Sequence, residues 1–292
     1  AWTDGLVASL GGRRLDGLTV VLDGSHGANA HVAPDVVRSL GARVYAIGDD
    51  PDGANINDGV GSTDPQTCGA AVVETGADVG LAFDGDADRV VAVDHQGRVV
   101  DGDHMMALLA VDRHRQGTLA DDTVVVTVMT NLGFHRAMAA AGIHVEQTQV
   151  GDRYVLEALE RGGWNLGGEQ SGHVILTDIN RTGDGLLTGL HLLDLVRRSG
   201  RPLSDLAAEA MTTVPQLLRN VEVRDRSVDV VSQLADEIDA VQRDLGDDGR
   251  VLVRPSGTEP LVRVMVEAIA PEDAEAAAAR LVAAVERATG TE

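Results

Sequence analysis

The chain has 292 residues, enough for about two or three domains, and it contains no apolar run long enough to span a membrane. A formal net charge of −22 at pH 7 and an aromatic content of 2% argue against nucleic-acid binding, which uses basic side chains and stacking rings. The single cysteine, Cys68, excludes an internal disulfide, and we therefore expect a cytoplasmic protein. The absence of lysine excludes Schiff-base catalysis and a lysine-bearing phosphate loop.

Residues 1–103 alternate between strand and helix patterns, which predicts an α/β domain. Gly41 and Gly76 are expected to end its two helices, because glycine readily adopts the left-handed conformation after a helix. Thr63-Asp64-Pro65 is expected to begin the second helix with a capping side chain and a proline. The predicted strands are 19–23, 43–47, 79–83, 90–93 and 98–100, and the predicted helices are 32–40 and 63–75.

Residues 104–217 repeat this alternation and predict a second α/β domain, whereas residues 218–292 place strands around helices and a tight loop. The predicted fold class is therefore α/β, with two α/β layered domains followed by a small α+β C-terminal domain. Strands are predicted at 123–128, 143–147, 164–166, 214–223, 250–254 and 261–268, and helices at 132–141, 152–161, 185–198, 204–211, 228–245 and 271–288.

The run Asp84-Gly85-Asp86-Ala87-Asp88-Arg89 follows one predicted buried strand and precedes another. Three carboxylates at alternate positions repel one another unless a cation holds them, and oxygen-only ligands favour Mg²⁺. Arg89 adds the charge that suits a phosphate touching the same metal. The alternatives are a solvated turn and a haloacid-dehalogenase-type phosphatase site; the spacing excludes an EF-hand.

The glycine-rich loop 167–173 places Glu169, Ser171 and His173 at alternate positions. If the loop is extended, the three side chains point the same way and suit the hydroxyls of a sugar. The alternative is a glycine-rich turn whose histidine is satisfied internally. This loop alone is weak evidence.

The loop 254–260 follows a predicted strand and joins a guanidinium, two hydroxyls and a glycine, which together can bind an anion. Its candidate ligands are Arg254, Ser256, Gly257 and Thr258, with Arg263 as a second guanidinium. The alternative is a hairpin turn with an exposed arginine. The pair Ser25-His26 is interpreted as a turn rather than as a nucleophile and base, because no orienting acid is evident.

With these three loops in this order, the chain resembles the α-D-phosphohexomutase family, and most closely its branch that acts on glucosamine phosphates. The run 51–57, Pro-Asp-Gly-Ala-Asn-Ile-Asn, together with Gln170 and the stretch 150–155, is similar to that branch. The resemblance covers the family's second, third and fourth domains. The first domain, which carries a phosphoserine nucleophile, has no counterpart in this sequence, and the resemblance therefore implies a fragment that is inactive alone.

The resemblance implies an isomerase that moves a phosphoryl group between two positions of a hexosamine phosphate through a bisphosphorylated intermediate. Asp84, Asp86 and Asp88 would bind Mg²⁺, and Arg89 and His173 would act in catalysis. Glu169 and Ser171 would bind the sugar, and Arg254, Ser256, Gly257, Thr258 and Arg263 the phosphate. The expected partners are a hexosamine phosphate and the family's first domain, with neither nucleic acid nor membrane; the sequence carries no signal of an oligomeric state.

Two alternatives remain open at this point. One is a phosphomannomutase or phosphoglucomutase of the same family. The other is a non-catalytic module that binds phosphosugars.

Overall fold

The computed structural model describes residues 2–223, 230–256 and 259–289, and the chain divides into two compact units. The first unit contains residues 1–130 and 134–212, and the second contains residues 131–133 and 213–292. Among the described residues, no helix combines the length and apolar character needed to cross a bilayer.

The first half of unit 1 forms a five-stranded sheet in the order β2-β1-β3-β4-β5. Strands β1, β2 and β3 are parallel, whereas β4 and β5 return antiparallel. The elements are α1 (Trp2–Ser9), β1 (Thr19–Asp23), α2 (Val32–Ser39), β2 (Arg43–Ile47), α3 (Gln66–Thr75), β3 (Val79–Phe83), β4 (Val90–Asp94) and β5 (Val99–Val100).

The second half of unit 1 forms a four-stranded sheet in the order β7-β6-β8-β9, in which only β8 and β9 are antiparallel. Its elements are α4 (Gly102–Arg115), β6 (Thr123–Thr127), α5 (Leu132–Ala141), β7 (His144–Thr148), α6 (Asp152–Gly162), β8 (Gly167–Gly168), β9 (Val174–Ile175), α7 (Gly185–Ser199) and α8 (Leu203–Ala210). Helix α7 packs against β3 and β4 of the first sheet and against β9 of the second. One hydrophobic core therefore runs through both sheets.

Unit 2 is an antiparallel sheet in the order β10-β12-β11 with helices packed against it. The described elements are β10 (Gln216–Glu222), α9 (Val230–Gln233), α10 (Ala235–Leu245), β11 (Gly249–Pro255), β12 (Leu261–Ala268) and α11 (Pro271–Thr289). Helix α11 packs on β10 and β12, and α10 packs on β11. This arrangement, with the two α/β sheets of unit 1, confirms the predicted fold class.

Most element boundaries follow the sequence pattern, but several features differ from it. The strand predicted at 164–166 begins later, as Gly167–Gly168, because those residues pair with Val125 and Val126 of β6. Helix α3 is followed by Gly76 at φ +64° as expected, but no side chain caps its N-terminus. Helices α1 and α4 and strand β9 were not predicted, and the described part of the helix predicted at 228–245 forms two helices, α9 and α10.

Helix α4 was not predicted because its sequence does not alternate between an apolar and a polar face. Met105, Met106 and Leu109 are buried together with Ala107 and Ala110. A helix that is apolar around most of its circumference loses the 3.6-residue periodicity on which recognition depends.

Candidate functional site

The acidic loop 84–89 joins β3 and β4, two antiparallel strands that are buried along their whole length. Asp84 is only 2% exposed and accepts hydrogen bonds from the Arg89 main-chain N–H and from Arg89 Nε, both at 3.0 Å. The same Nε lies 3.4 Å from Oδ1 of Asp88. The loop therefore folds back so that one guanidinium contacts two carboxylates.

The charges of Asp84 and Asp88 affect each other. Burial raises the pKa of Asp84 above its ordinary value, and the adjacent Asp88 raises it further. Burial also opposes ionisation of Asp88, but the hydrogen bond with Asp84 and the charges of His173 and Arg89 outweigh it and keep the pKa of Asp88 below its ordinary value. Two neighbouring carboxylates of this kind are stabilised in their charged forms by a cation.

The structure brings two of the three predicted metal ligands together. Asp86 is exposed, and within residues 2–223, 230–256 and 259–289 no three acidic, histidine or cysteine side chains are grouped closely enough to hold a metal ion. The available donors at Asp84 and Asp88 are carboxylate oxygens, the ligand type that Mg²⁺ prefers. By donor chemistry the loop fits Mg²⁺.

After β8, residues 169–172 of the loop 167–173 form a turn rather than an extended segment, so the alternation of Glu169, Ser171 and His173 does not place them on one face. The Gly172 N–H donates to the Glu169 carbonyl at 3.0 Å, with Gly172 at φ +90°. Glu169 Oε2 accepts a hydrogen bond from Ser171 Oγ at 3.5 Å. His173 is 5% exposed; its carbonyl accepts the Glu169 N–H at 2.9 Å, but its side chain contacts Asp88 instead. Glu169 and Ser171 therefore form a pair.

His173 connects this loop to the acidic loop. Its Nδ1 lies 3.1 Å from Oδ2 of Asp88. A main-chain bond reinforces the connection, because the Val90 N–H donates to the Gly172 carbonyl at 3.2 Å. The acidic loop is also held by α7, since the Gly185 N–H donates to the Ala87 carbonyl at 3.0 Å. Within unit 1, the predicted metal loop and the predicted sugar loop are thus in direct contact.

Two neighbouring groups were missed by the sequence analysis. Asp101 caps α4 by accepting the His104 N–H at 3.0 Å, and the next residue, Gly102, donates to the Gln170 carbonyl at 3.1 Å. Asn57 contacts the acidic loop at Gly85. An aspartate before an apolar run is a capping signal that could have revealed α4.

The described part of the phosphate loop lies at the end of a hairpin in unit 2. Arg254 and Arg263 are cross-strand partners on β11 and β12, and burial, together with the charge of Arg263, lowers the pKa of Arg254. Nε of Arg263 is buried and has no hydrogen-bond partner among the described residues. Gly257 and Thr258 lie outside the described residues. Like charges facing each other across strands are destabilising, and a bound anion removes the repulsion.

The side chains of Ser256, Ser25 and His26 each take part in a hydrogen bond. In the phosphate loop, Ser256 Oγ accepts a hydrogen bond from the Glu259 N–H at 3.3 Å. Ser25, by contrast, is fully buried, and its hydroxyl donates to the Gly24 carbonyl at 2.8 Å. Nδ1 of His26 lies 3.2 Å from the Asp50 N–H. This geometry agrees with the interpretation of Ser25-His26 as a turn.

Comparison with known proteins assigns the family. Residues 3–97 match domain II of phosphoglucomutase/phosphomannomutase, residues 101–214 match its α/β/α domain III, and residues 218–287 match its C-terminal domain. The chain belongs to the phosphoglucomutase/phosphomannomutase family.

Curated relatives agree with this family. The chain is 57% identical over 270 residues to a phosphoglucosamine mutase of Leifsonia xyli subsp. xyli, covering 92% of this chain and 59% of the relative. It is 51% identical over 276 residues to a phosphoglucosamine mutase of Oceanobacillus iheyensis, covering 94% of this chain and 62% of the relative. The chain therefore spans about three fifths of the length of these relatives.

A solved structure supports the fold independently. The N-acetylphosphoglucosamine mutase of Aspergillus fumigatus, in complex with GlcNAc-6P and magnesium, superimposes with a TM-score of 0.79 at 22% identity. The match covers 99% of this chain and 66% of that one.

Proposed function

We propose that this chain carries the metal, sugar and phosphate loops of a phosphoglucosamine mutase, which interconverts glucosamine 6-phosphate and glucosamine 1-phosphate. The phosphoserine nucleophile would come from a domain outside this chain, and the reaction would pass through a bisphosphorylated sugar. The observation that carries the proposal is the contact of His173 with Asp88, which joins the candidate sugar and metal loops. Relatives at 51% and 57% identity that are phosphoglucosamine mutases support the choice of sugar. The expected compartment is the cytoplasm.

The carboxylates of Asp84, Asp86 and Asp88 would hold Mg²⁺, and the adjacency of Asp84 and Asp88 supports this role. When bound, the ion would stabilise negative charge on the transferring phosphoryl group. Arg89 would contact the same phosphoryl group. Its guanidinium, now bonded to Asp84, is 40% exposed and can exchange a carboxylate for a phosphate oxygen.

Glu169 and Ser171 would bind two neighbouring hydroxyls of the sugar, a role that their pairing at 3.5 Å supports. His173 would transfer the proton of the reacting hydroxyl. Because Nδ1 of His173 faces the carboxylate of Asp88, its tautomer and ring orientation are fixed, which leaves Nε2 for proton exchange.

Arg254, Ser256, Gly257, Thr258 and Arg263 would bind the phosphate that does not react. The facing guanidinium groups of Arg254 and Arg263, and the buried Nε of Arg263 without a partner among the described residues, support an anion site there. Charge-assisted hydrogen bonds from arginine suit the geometry of phosphate oxygens.

Titration calorimetry of the 292-residue chain tests the substrate class. Glucosamine 6-phosphate is expected to bind more tightly than mannose 6-phosphate or inorganic phosphate. A preference for mannose 6-phosphate would favour a phosphomannomutase, and the absence of binding to all three would contradict the proposal.

A turnover assay separates the mutase from a phosphosugar-binding module. The chain alone is expected to be inactive, and its fusion to the first domain of a relative is expected to convert glucosamine 6-phosphate. Turnover by the chain alone would mean that a nucleophile had been overlooked. A fusion that folds and binds the sugar phosphate without turnover would favour the binding module.

A further inference from the structure

Gly85, the second residue of the acidic loop, is fixed on both of its main-chain polar groups. Its N–H donates to Oδ1 of Asn57 at 2.9 Å, and its carbonyl accepts from the Ala28 N–H at 2.9 Å. A Cβ placed on Gly85 would lie 2.8 Å from Nδ2 of Asn57 and closer still to the side chain of Ile56. The acidic loop is therefore clamped between the segments that contain Ala28 and Asn57.

Asn57 is itself held in place. Its N–H donates to the Ser25 carbonyl at 2.9 Å, and its backbone adopts a left-handed conformation at φ +59°, which asparagine tolerates better than most residues. The preceding turn is closed by Asp52, whose Oδ1 accepts the N–H groups of Ala54 and Asn55 at 2.8 and 2.9 Å. The Asn57 amide is thus presented to Gly85 by a self-supported loop.

We propose that Asn57 is a positioning residue that sets the conformation of the acidic loop for cation binding. This proposal rests on the proposed function, since it assumes that Asp84 and Asp86 bind the cation. Gly85 lies between these two aspartates: its N–H belongs to the peptide that follows Asp84, and its carbonyl belongs to the peptide that precedes Asp86. The bond to Asn57 therefore fixes the peptide next to Asp84, and the bond from Ala28 holds the peptide next to Asp86. Without the bond to Asn57 the carboxylates must be ordered when the cation binds, which weakens binding.

The test uses the 292-residue chain with Asn57→Ala and, as a matched control, Asn165→Ala. The Asn165 side chain makes the same kind of bond far along the chain, since its Oδ1 accepts the Ala120 N–H at 3.0 Å. The probes are Mg²⁺ followed by calorimetry and Mn²⁺ followed by electron paramagnetic resonance. Hydrogen exchange of the Gly85 amide reports the hydrogen bond directly.

Asn57→Ala is expected to accelerate Gly85 exchange and to weaken binding of both cations by roughly threefold to tenfold. Asn57→Gly, which adopts φ +59° without strain, is expected to do the same, because the effect comes from the lost hydrogen bond rather than from the backbone. Asn165→Ala is expected to change neither quantity. Asn57→Asp retains an acceptor and tolerates the same backbone, so it is expected to preserve Gly85 protection, and its added negative charge is expected to leave cation affinity no weaker than in the unaltered chain. Equal thermal stability of the two alanine variants would show that any difference in affinity is local.

Two results overturn the inference. If the unaltered chain binds the cations and Asn57→Ala binds them equally well, Asn57 does not position the loop although the metal site stands. If the unaltered chain binds neither cation, the metal assignment in the proposed function fails, and the role of Asn57 fails with it.

Discussion

Nδ1 of His173 lies 3.1 Å from Oδ2 of Asp88, although the two residues are 85 positions apart in the chain. His173 is 5% exposed, and Gly183 lies against its ring, so that a Cβ at Gly183 would overlap the imidazole. The contact between the two loops therefore depends on a glycine that neither loop contains.

Gly183→Ala is expected to displace His173 and to lower the free energy of unfolding by about 1–3 kcal/mol, the usual cost of overpacking. Urea unfolding measures this change, and the imidazole resonances of His173 report its displacement. Gly5→Ala is the matched control, since a Cβ at Gly5 meets no atom within 4 Å. It lies within α1, where alanine is favoured over glycine. Equal stabilities of the two variants would contradict the packing argument.

Arg254→Ala is expected to weaken phosphosugar binding by about 1.5–3 kcal/mol, the range for a hydrogen bond to a charged group. Calorimetric titration with glucosamine 6-phosphate measures the loss. Arg219→Ala is a suitable control because Arg219 lies in the same unit and pairs with exposed Glu275 at 3.0 Å. An unchanged titration of Arg254→Ala would remove that loop from the site.

The lowered pKa of His191 is expected to make the folded chain less stable at acidic pH. Burial and the nearby Arg113 lower its pKa from 6.5 to about 4, although Asp194 and Asp178 oppose the shift. Above pH 6.5 the imidazole is neutral in both folded and unfolded chains. As the pH falls below 6.5, the unfolded chain takes up a proton that the folded chain excludes, and stability decreases. His191→Gln should therefore reduce the loss of stability between pH 7.5 and pH 5 by about 2 kcal/mol.

Urea unfolding of both proteins at the two pH values checks this expectation. Nε2 of His191 lies 3.2 Å from Oγ of Ser9, and glutamine retains hydrogen-bonding capacity there. Identical pH dependence in the two proteins would show that His191 does not titrate as its surroundings require.

Glu267→Ala is expected to destabilise unit 2 by about 3–5 kcal/mol, because the change removes one partner of a buried ion pair. Glu267 is fully buried on β12, where its Oε2 lies 2.8 Å from Nη2 of Arg250 and its Oε1 accepts from Gln216 Nε2 at 3.0 Å. Denaturant unfolding measures the effect. Glu275→Ala removes an exposed pair with Arg219 and should change stability by less than about 1 kcal/mol. A similarly small effect at Glu267 would contradict the buried-pair argument.

The sequence determined the strands that deliver the acidic loop. Val79–Phe83 is an uninterrupted apolar run and forms β3 with the predicted bounds. Leu261–Ala268 also forms β12 with the predicted bounds, although Arg263 and Glu267 interrupt its apolar residues. An uninterrupted apolar run indicates a strand whose consecutive side chains are all buried. The position of Asp84 at a strand end therefore followed from sequence, and so did the left-handed glycine after α3.

The tertiary structure decided which residues of these loops meet. Alternation at 169–173 suggested three side chains on one face. Instead the chain turns at Gly172, the Ser171 hydroxyl bonds to Glu169, and Nδ1 of His173 contacts Asp88. Asn57 reaches Gly85 from 28 positions away. Local sequence patterns indicate which side chains are buried. Hydrogen bonds between distant loops depend on how separate strands and helices pack against one another, and no short segment of the sequence specifies that packing.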